Sequence, residues 1–337
     1  RKNQSYPAFY QLQTNTNGHG DPGTVEYDGV PFQQITDREG APYSGVNDPC
    51  NPGLPVVTGD RRGTWGGYFD WFTESGPEAP RDNPQQWACS VTLVNDTDAG
   101  GRSVSPIDNA PTNTLSAKLA IRRPQNFTPP AGTPVLWMEA DRASGQITQS
   151  GFDEVGPQGV VKLDQINVPR LPNIARVLVA THADLGDAPT GYPVTFAENG
   201  AYHASDSPLR LGATRNVETN GVHSPTALSA SEADDGVSGP ALWPQDSLVT
   251  LNIVVNQACP LDAWVDWTRN SRWEGTVFDA FDRIANSIAL VPGTNLFQVV
   301  VPTNAPVGTN FARFRVSTAG GLASTGAALD GEVEDYP

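Results

Sequence analysis

The chain has 337 residues, enough for two domains or one large β domain, and its 37 acidic against 21 basic side chains leave a formal charge of -16. That balance excludes the basic face a nucleic-acid binder needs and opposes anionic membranes, and no apolar run reaches the ~18 residues of a membrane span. Gly 33 and Pro 30 recur without a period, which excludes collagen, while eight Trp, eight Tyr and twelve Phe supply a core.

Residues 1–110 read as irregular, punctuated by turn formers such as Asn17-Gly18, Asp48-Pro49 and Asn51-Pro52-Gly53. Within them Ser5–Gln13 is an extended, part-apolar segment. It reads either as a first strand of its own domain or as a strand donated to a neighbour's sheet edge. An aromatic cluster follows, with Trp65, Tyr68 and Trp71. Buried aromatics normally form core; exposed ones would offer a stacking platform for a sugar or a partner protein. Cys50 and Cys89 flank this cluster and are expected to pair as a disulfide, leaving Cys259 over.

From residue 112 the pattern is that of strands. Leu115–Arg122, Pro134–Glu139, Gly159–Leu163 and Ala175–Thr181 are short apolar or alternating runs rich in β-branched residues, bounded by Gly and Pro. Residues 184–244 read as an acidic lead-in. It holds eight carboxylates (184, 187, 198, 206, 218, 232, 234, 235) against Arg210 and Arg215. Residues 245–337 return to strands over Ser247–Val255, Ala263–Trp267, Asn295–Val301 and Phe311–Ser317, with Phe278–Ala285 as a short helical turn. The expected architecture is all-β: two β-sandwich-like domains with long irregular loops and little helix, spanning 1–183 and 245–337 around the 184–244 linker.

The last region carries a recognisable pattern. Ala312–Leu322, then Ser324-Thr-Gly-Ala327, then Asp330-Gly-Glu-Val-Glu-Asp-Tyr336 resembles the signature of the GEVED family. Leu261–Trp267 resembles the family's strand before a polar loop. Asp184–Tyr192, His203, Leu211-Gly-Ala213 and Asp234-Asp-Gly-Val237 resemble its lead-in, so the likeness spans about residues 184–337. It implies a β-sandwich module of secreted bacterial surface proteins, often beside adhesive or structural regions. The polar loop of the family is typically acidic, like a calcium loop. Here Asp266 is followed by Trp267-Thr-Arg-Asn-Ser-Arg272, so Arg269 or Arg272 is expected to neutralise a neighbouring carboxylate in place of an ion.

Calcium is then expected on other acids: Asp184, Asp187, Asp234 and Asp235 in the lead-in, and Glu332 and Glu334 on the final strand. Glu332 and Glu334 would face one way on a strand, where cross-strand pairing with Arg313 and Arg315 competes with calcium as the explanation. His182, His203 and His223 allow a copper site as an alternative. No metalloprotease, nucleophile-elbow, phosphate-loop or dinucleotide pattern occurs. Asp70, Glu74, Glu139 and Asp141 are the carboxylates near aromatics that a glycosidase would need. The chain begins at Arg1 and its one Met is Met138, as expected where a leader has been removed. The functional expectation is a non-enzymatic, extracellular protein of a bacterial cell surface, structural or adhesive, or a subunit of a filament or matrix. It would self-associate or bind surface proteins or glycans, without nucleic acid or membrane insertion. A carbohydrate-binding protein and a copper-binding surface protein are the alternatives.

Overall fold

The computed structural model describes residues 81–93, 113–122, 124–204, 207–228, 233–273 and 282–337, with the backbone of four further strands at 6–10, 24–27, 30–33 and 69–71. The chain forms two compact units. One comprises Arg1–Ser144 and Thr148–Thr181; the other comprises His182–Pro337 with Gly145–Ile147. The architecture is all-β, built mainly of antiparallel sheets, with no α-helix among the described residues.

In the first unit, β1 (Tyr6–Tyr10) pairs with a later strand, while β2 (Thr24–Tyr27) and β3 (Val30–Gln33) form a hairpin. β4 (Phe69–Trp71), β5 (Arg81–Asp82), β6 (Gln86–Leu93), β7 (Thr114–Arg122), β8 (Pro134–Asp141), β9 (Ile147–Glu154), β10 (Lys162–Pro169) and β11 (Ala175–Ala180) follow. One sheet has the order β1-β7-β10. The other runs β4-β6-β11-β8-β9, with β5 also on β6. Side chains alternate across a strand, so Ala117, Leu119 and Ile121 of β7 face Cys89, Val91 and Leu93 of β6 across one apolar core. Trp87 is wholly buried there, and a large side chain so placed contributes roughly 1.5–3 kcal/mol by leaving water.

Cys89 carries a free thiol, so the Cys50–Cys89 disulfide is absent; Cys50 itself lies outside the described residues. The reason is orientation. Cys89 points into the core of a central strand, where burial pushes its thiol up to about 12. Within the chain, Tyr6–Tyr10 of the N-terminal segment pairs with β7, with Tyr6 opposite Arg122 and Tyr10 opposite Lys118, as a strand of its own domain would. The contacts proposed for Trp65 and Tyr68 fall outside the described residues, and of Trp71 only the backbone, in β4, is described.

The second unit is a sandwich with an added third sheet. Its strands are β12 (Ala183–Leu185), β13 (Ala201–Ala204), β14 (Val237–Ser238), β15 (Leu248–Val255), β16 (Cys259–Val265), β17 (Arg283–Leu290), β18 (Gly293–Val300), β19 (Ala312–Val316), β20 (Gly326–Ala328) and β21 (Glu332–Tyr336). The sheets run β14-β15-β18, β17-β16-β19-β21 and β12-β13-β20, the last pairing β13 and β20 in parallel. Val249, Leu251, Ile253 and Val255 of β15 pack on Leu261, Ala263 and Val265 of β16 and on Phe314 and Val316 of β19. Residues 283–285 belong to β17 and not to a helical turn, because Ala285 pairs with Ala263 and is buried in this core. Residues 184–244, read as a lead-in, supply β12, β13 and β14 to this unit.

Candidate functional site

The chemistry-bearing residues of the second unit gather around β19 and β21. Strand alternation decides which residues meet. Ala312, Phe314 and Val316 face the apolar core, so Arg313 and Arg315 must point to the opposite face, where both are wholly buried. The antiparallel register then sets Arg313 opposite Asp335 and Arg315 opposite Val333, whereas Phe314 is opposite Glu334 and Val316 opposite Glu332. Glu332 and Glu334 therefore lie on the other face of the sheet from the two arginines. The expected cross-strand Arg–Glu pairs do not form, because register places the arginines one residue out of step with the glutamates.

Arg313 instead grips Asp335 as a fork. Its Nε donates to Oδ1 and its Nη2 to Oδ2, each at 2.7 Å, with both side chains fully enclosed. The Ala188 amide donates to Asp335 Oδ2 at 2.9 Å, and Arg313 Nη1 donates to the carbonyls of Pro193 and Ser324. The guanidinium also sits 4.3 Å from the centre of the Trp273 ring. A charge pair this deep is tolerated only because the remaining donors and acceptors are also matched. Gly186 is required beside it: a Cβ there would lie 2.3 Å from Asp335 Oδ2 and 2.7 Å from Arg313 Nη2.

Arg315 has a different set of partners. Its Nε donates to His203 Nε2 at 3.0 Å, and its Nη atoms donate to the carbonyls of Ala323, Thr325 and Gly326. The other ring nitrogen of His203 donates to the Asp330 carbonyl at 2.6 Å, which assigns the neutral tautomer. Burial, then the Arg315 charge, holds this imidazole well below its usual range. With Nε2 accepting from a guanidinium, His203 has no lone pair for copper. His223 faces Ala188 O and Glu198 Oε1 with its two ring nitrogens, at 3.0 and 3.1 Å, and His182 is half-buried just ahead of β12.

Glu334, Glu332, Asp184 and Asp235, among the acids expected to bind calcium, are hydrogen-bonded within the unit. Glu334 Oε1 accepts from the amides of Asp235 and Gly236, and Oε2 accepts from the Tyr336 hydroxyl. Glu332 Oε2 accepts from the Leu211 amide at 2.6 Å, and Asp184 Oδ2 from the Val333 amide at 2.8 Å. Asp235 takes the Ala213 amide and the Thr214 hydroxyl. Asp187 is buried beside this network and Asp234 half-buried. Burial pushes Glu334 up to about 7 and lifts Glu332 well above the usual carboxylate range, with Asp184 and Glu334 adding repulsion at Glu332. Among the described residues no group of three or more His, Cys, Asp or Glu is placed to hold a metal ion.

The polar loop after β16 follows the same rule. Asp266 Oδ1 accepts from the amides of Thr268 and Asn270, and Oδ2 from the Ser271 amide and the Tyr192 hydroxyl. The loop wraps its own backbone round one carboxylate, with Arg269 and Ser271 in the left-handed region at φ 59 and 63. Arg269 does not neutralise this acid; its Nη1 donates to the Val307 carbonyl. Asp262, across from Arg315 in register, takes Arg283 Nη2 at 2.5 Å and the amides of Ser287 and Leu322. In the first unit, Glu139 is enclosed by Thr148, Gln149 and the Asn167 amide, and Asp141 accepts from Ser144. Of the other two carboxylates considered for a glycosidase, Asp70 has only its backbone described, in β4, and Glu74 lies outside the described residues.

Residues 261–337 match the model of the GEVED domain. The match begins inside β16, so β12–β15 stand outside it. No curated protein matches the chain. The GEVED pentapeptide, Gly331 to Asp335, is accounted for residue by residue. Gly331 has φ 92, and a Cβ there would meet the Val316 carbonyl at 1.7 Å. Glu332 and Glu334 fix the turns at Leu211 and Gly236, the Val333 amide is held by Asp184, and Asp335 holds Arg313. The sequence did not mark Asp262 or Tyr192 as site residues, nor the Arg315–His203 contact, and Asp266 stood out only as the acid ahead of the two loop arginines. The alternation of Arg313 and Arg315 with three apolar residues was the signal for a buried polar face.

Proposed function

We propose that this chain is a structural or adhesive protein of a bacterial cell surface, non-catalytic, with the GEVED domain serving as a rigid module. The observation that carries the reading is the use of the signature's polar groups. Glu332, Glu334, Asp335, Arg313 and Arg315 are each tied to other parts of the same unit, and segments about 100–150 positions apart in sequence are joined by them. A site spent on holding its own fold supports a load-carrying or display role over a reaction. The acidic charge of -16 supports a soluble, self-repelling exterior, for which divalent cations are natural counter-ions on exposed acids.

Surface labelling of intact producing cells, with a deletion strain scored for attachment and matrix, tests the reading. Labelled protein on the outside and impaired attachment or matrix are expected. A protein confined to the cell interior, or a deletion without effect on either phenotype, removes it. Calcium is tested separately by melting the protein with EDTA and with added calcium: equal Tm values take calcium out of the reading. Binding to a glycan array would favour the carbohydrate reading instead.

A further inference from the structure

We infer that β18 is a self-association edge, through which two copies of this chain pair their β14-β15-β18 sheets into one continuous sheet. The first observation is backbone direction. The Val301 amide donates to the Ser247 carbonyl at 2.9 Å, and the β15–β18 register continues from that pair without a bulge through Leu248↔Val300 to Val255↔Gly293. Antiparallel alternation then turns the amides and carbonyls of Thr294, Leu296, Gln298 and Val300 away from β15. β18 is the outer strand of its sheet, and among the described residues nothing pairs with its far side.

The second observation is what the edge carries. Leu296 is 75% exposed and Val300 69%, beside Leu248 at 56% on the same outer face. β14, β15 and β18 contain no charged residue and no proline, in a chain of charge -16. Exposed edges are normally blunted by charge, proline, bulges or short length. The other edges of this sandwich are: β14 has two residues, β17 is bulged against β16 with Ser287 at φ 51, and the Val333 amide on β21 is capped by Asp184.

Charge selects the occupant. Two copies of a strongly acidic chain repel wherever their acids meet, so they approach best through a sheet that has none. A basic partner would gain nothing from this neutral surface. A two-fold axis at Gln298 sets Leu296 of one copy opposite Val300 of the other on both sides of the axis, an apolar cross-strand pair of the kind that stabilises sheets. The inference gives the structural reading above a contact surface. It rests on that reading for its biological use alone, and oligomeric state can fail while surface location stands.

The test is analytical ultracentrifugation of the full chain over a concentration series, with hydrogen exchange on the same samples. A concentration-dependent dimer is expected, with the amides of residues 294, 296, 298 and 300 protected in the dimer and exchanging in the monomer. Leu296→Lys, which sets a charge on the outer face, should weaken the dimer at least about tenfold. Gln298→Pro, which removes an outward donor, should do the same. Val307→Lys, at a site 88% exposed off the strand, should leave it unchanged. Unaltered circular dichroism and Tm show that a variant is folded, and Leu296→Lys decides the matter if Gln298→Pro is not. A chain monomeric up to about 1 mM, a dimer indifferent to Leu296→Lys, or β18 amides protected in a monomer would each overturn the inference, the last by pointing to another occupant.

Discussion

The two faces of the β17-β16-β19-β21 sheet are built on opposite principles. One face presents Leu261, Ala263, Val265, Phe314 and Val316 to an apolar core. The other presents Asp262, Asp266, Arg313, Arg315 and Asp335, as thoroughly buried as the first. Dispersion and the hydrophobic effect on the apolar face are non-directional, so shape there need only be approximately right. Hydrogen bonds on the polar face are directional, and a group left unpaired there costs its full desolvation. The polar face thus fixes where distant segments sit, while the apolar face supplies the drive to collapse.

Breaking the polar face should cost most. Arg313→Met leaves Asp335 buried without its counter-charge and should destabilise the second unit by about 3–5 kcal/mol in urea unfolding. Adding Asp335→Leu should recover a large part of that loss, since an apolar pair can replace an ionic one. If Arg313→Met costs no more than a core swap, the contrast between the faces collapses.

The glutamates on β21 should add a pH signature. Glu334 has its folded pKa raised from the ordinary 4.5 to about 7, so the folded state binds its proton more tightly than the unfolded state. Its stabilising contribution is complete below about 4.5 and is lost as pH rises toward and through about 7, a decline of up to roughly 3 kcal/mol. Denaturation midpoints from pH 4.5 to 8 should fall in the wild type and fall less steeply in Glu334→Gln, the remaining slope coming from Glu332. A midpoint that rises across this range would contradict the assignment.

Two smaller effects sharpen the comparison. Gly186→Ala forces a methyl against the Arg313–Asp335 fork and should cost about 1–3 kcal/mol, read as a lowered Tm. Leu261→Met, on the apolar face, conserves volume and should cost less than about 1.5 kcal/mol. A Leu261→Met penalty above that of Gly186→Ala would reverse the ranking of the two faces.

Much of the fold was legible from short-range pattern. The alternation in Ser247–Val255 became β15, and the runs at 115–122, 134–139 and 175–181 became β7, β8 and β11. The site was legible in its residues but not in its pairings. Glu332 and Glu334 stood out in the sequence as expected calcium ligands, whereas the partners seen are amides of residues 211, 235 and 236, about a hundred or more positions earlier. The Cys89 thiol was likewise misassigned because spacing says nothing of the direction a side chain takes into a sandwich.

By itself, the sequence determined that this chain is all-β, acidic, rich in turns and closed by a GEVED pattern, because side-chain period, turn chemistry and charge are local properties. Only the tertiary structure decided which charges meet. Strand register on β19 and β21 put Arg313 against Asp335 and the glutamates on the opposite face, and a one-residue slip would have exchanged those partners. Register is set by contacts across the whole sandwich, so no local pattern at residues 312–336 could have specified it.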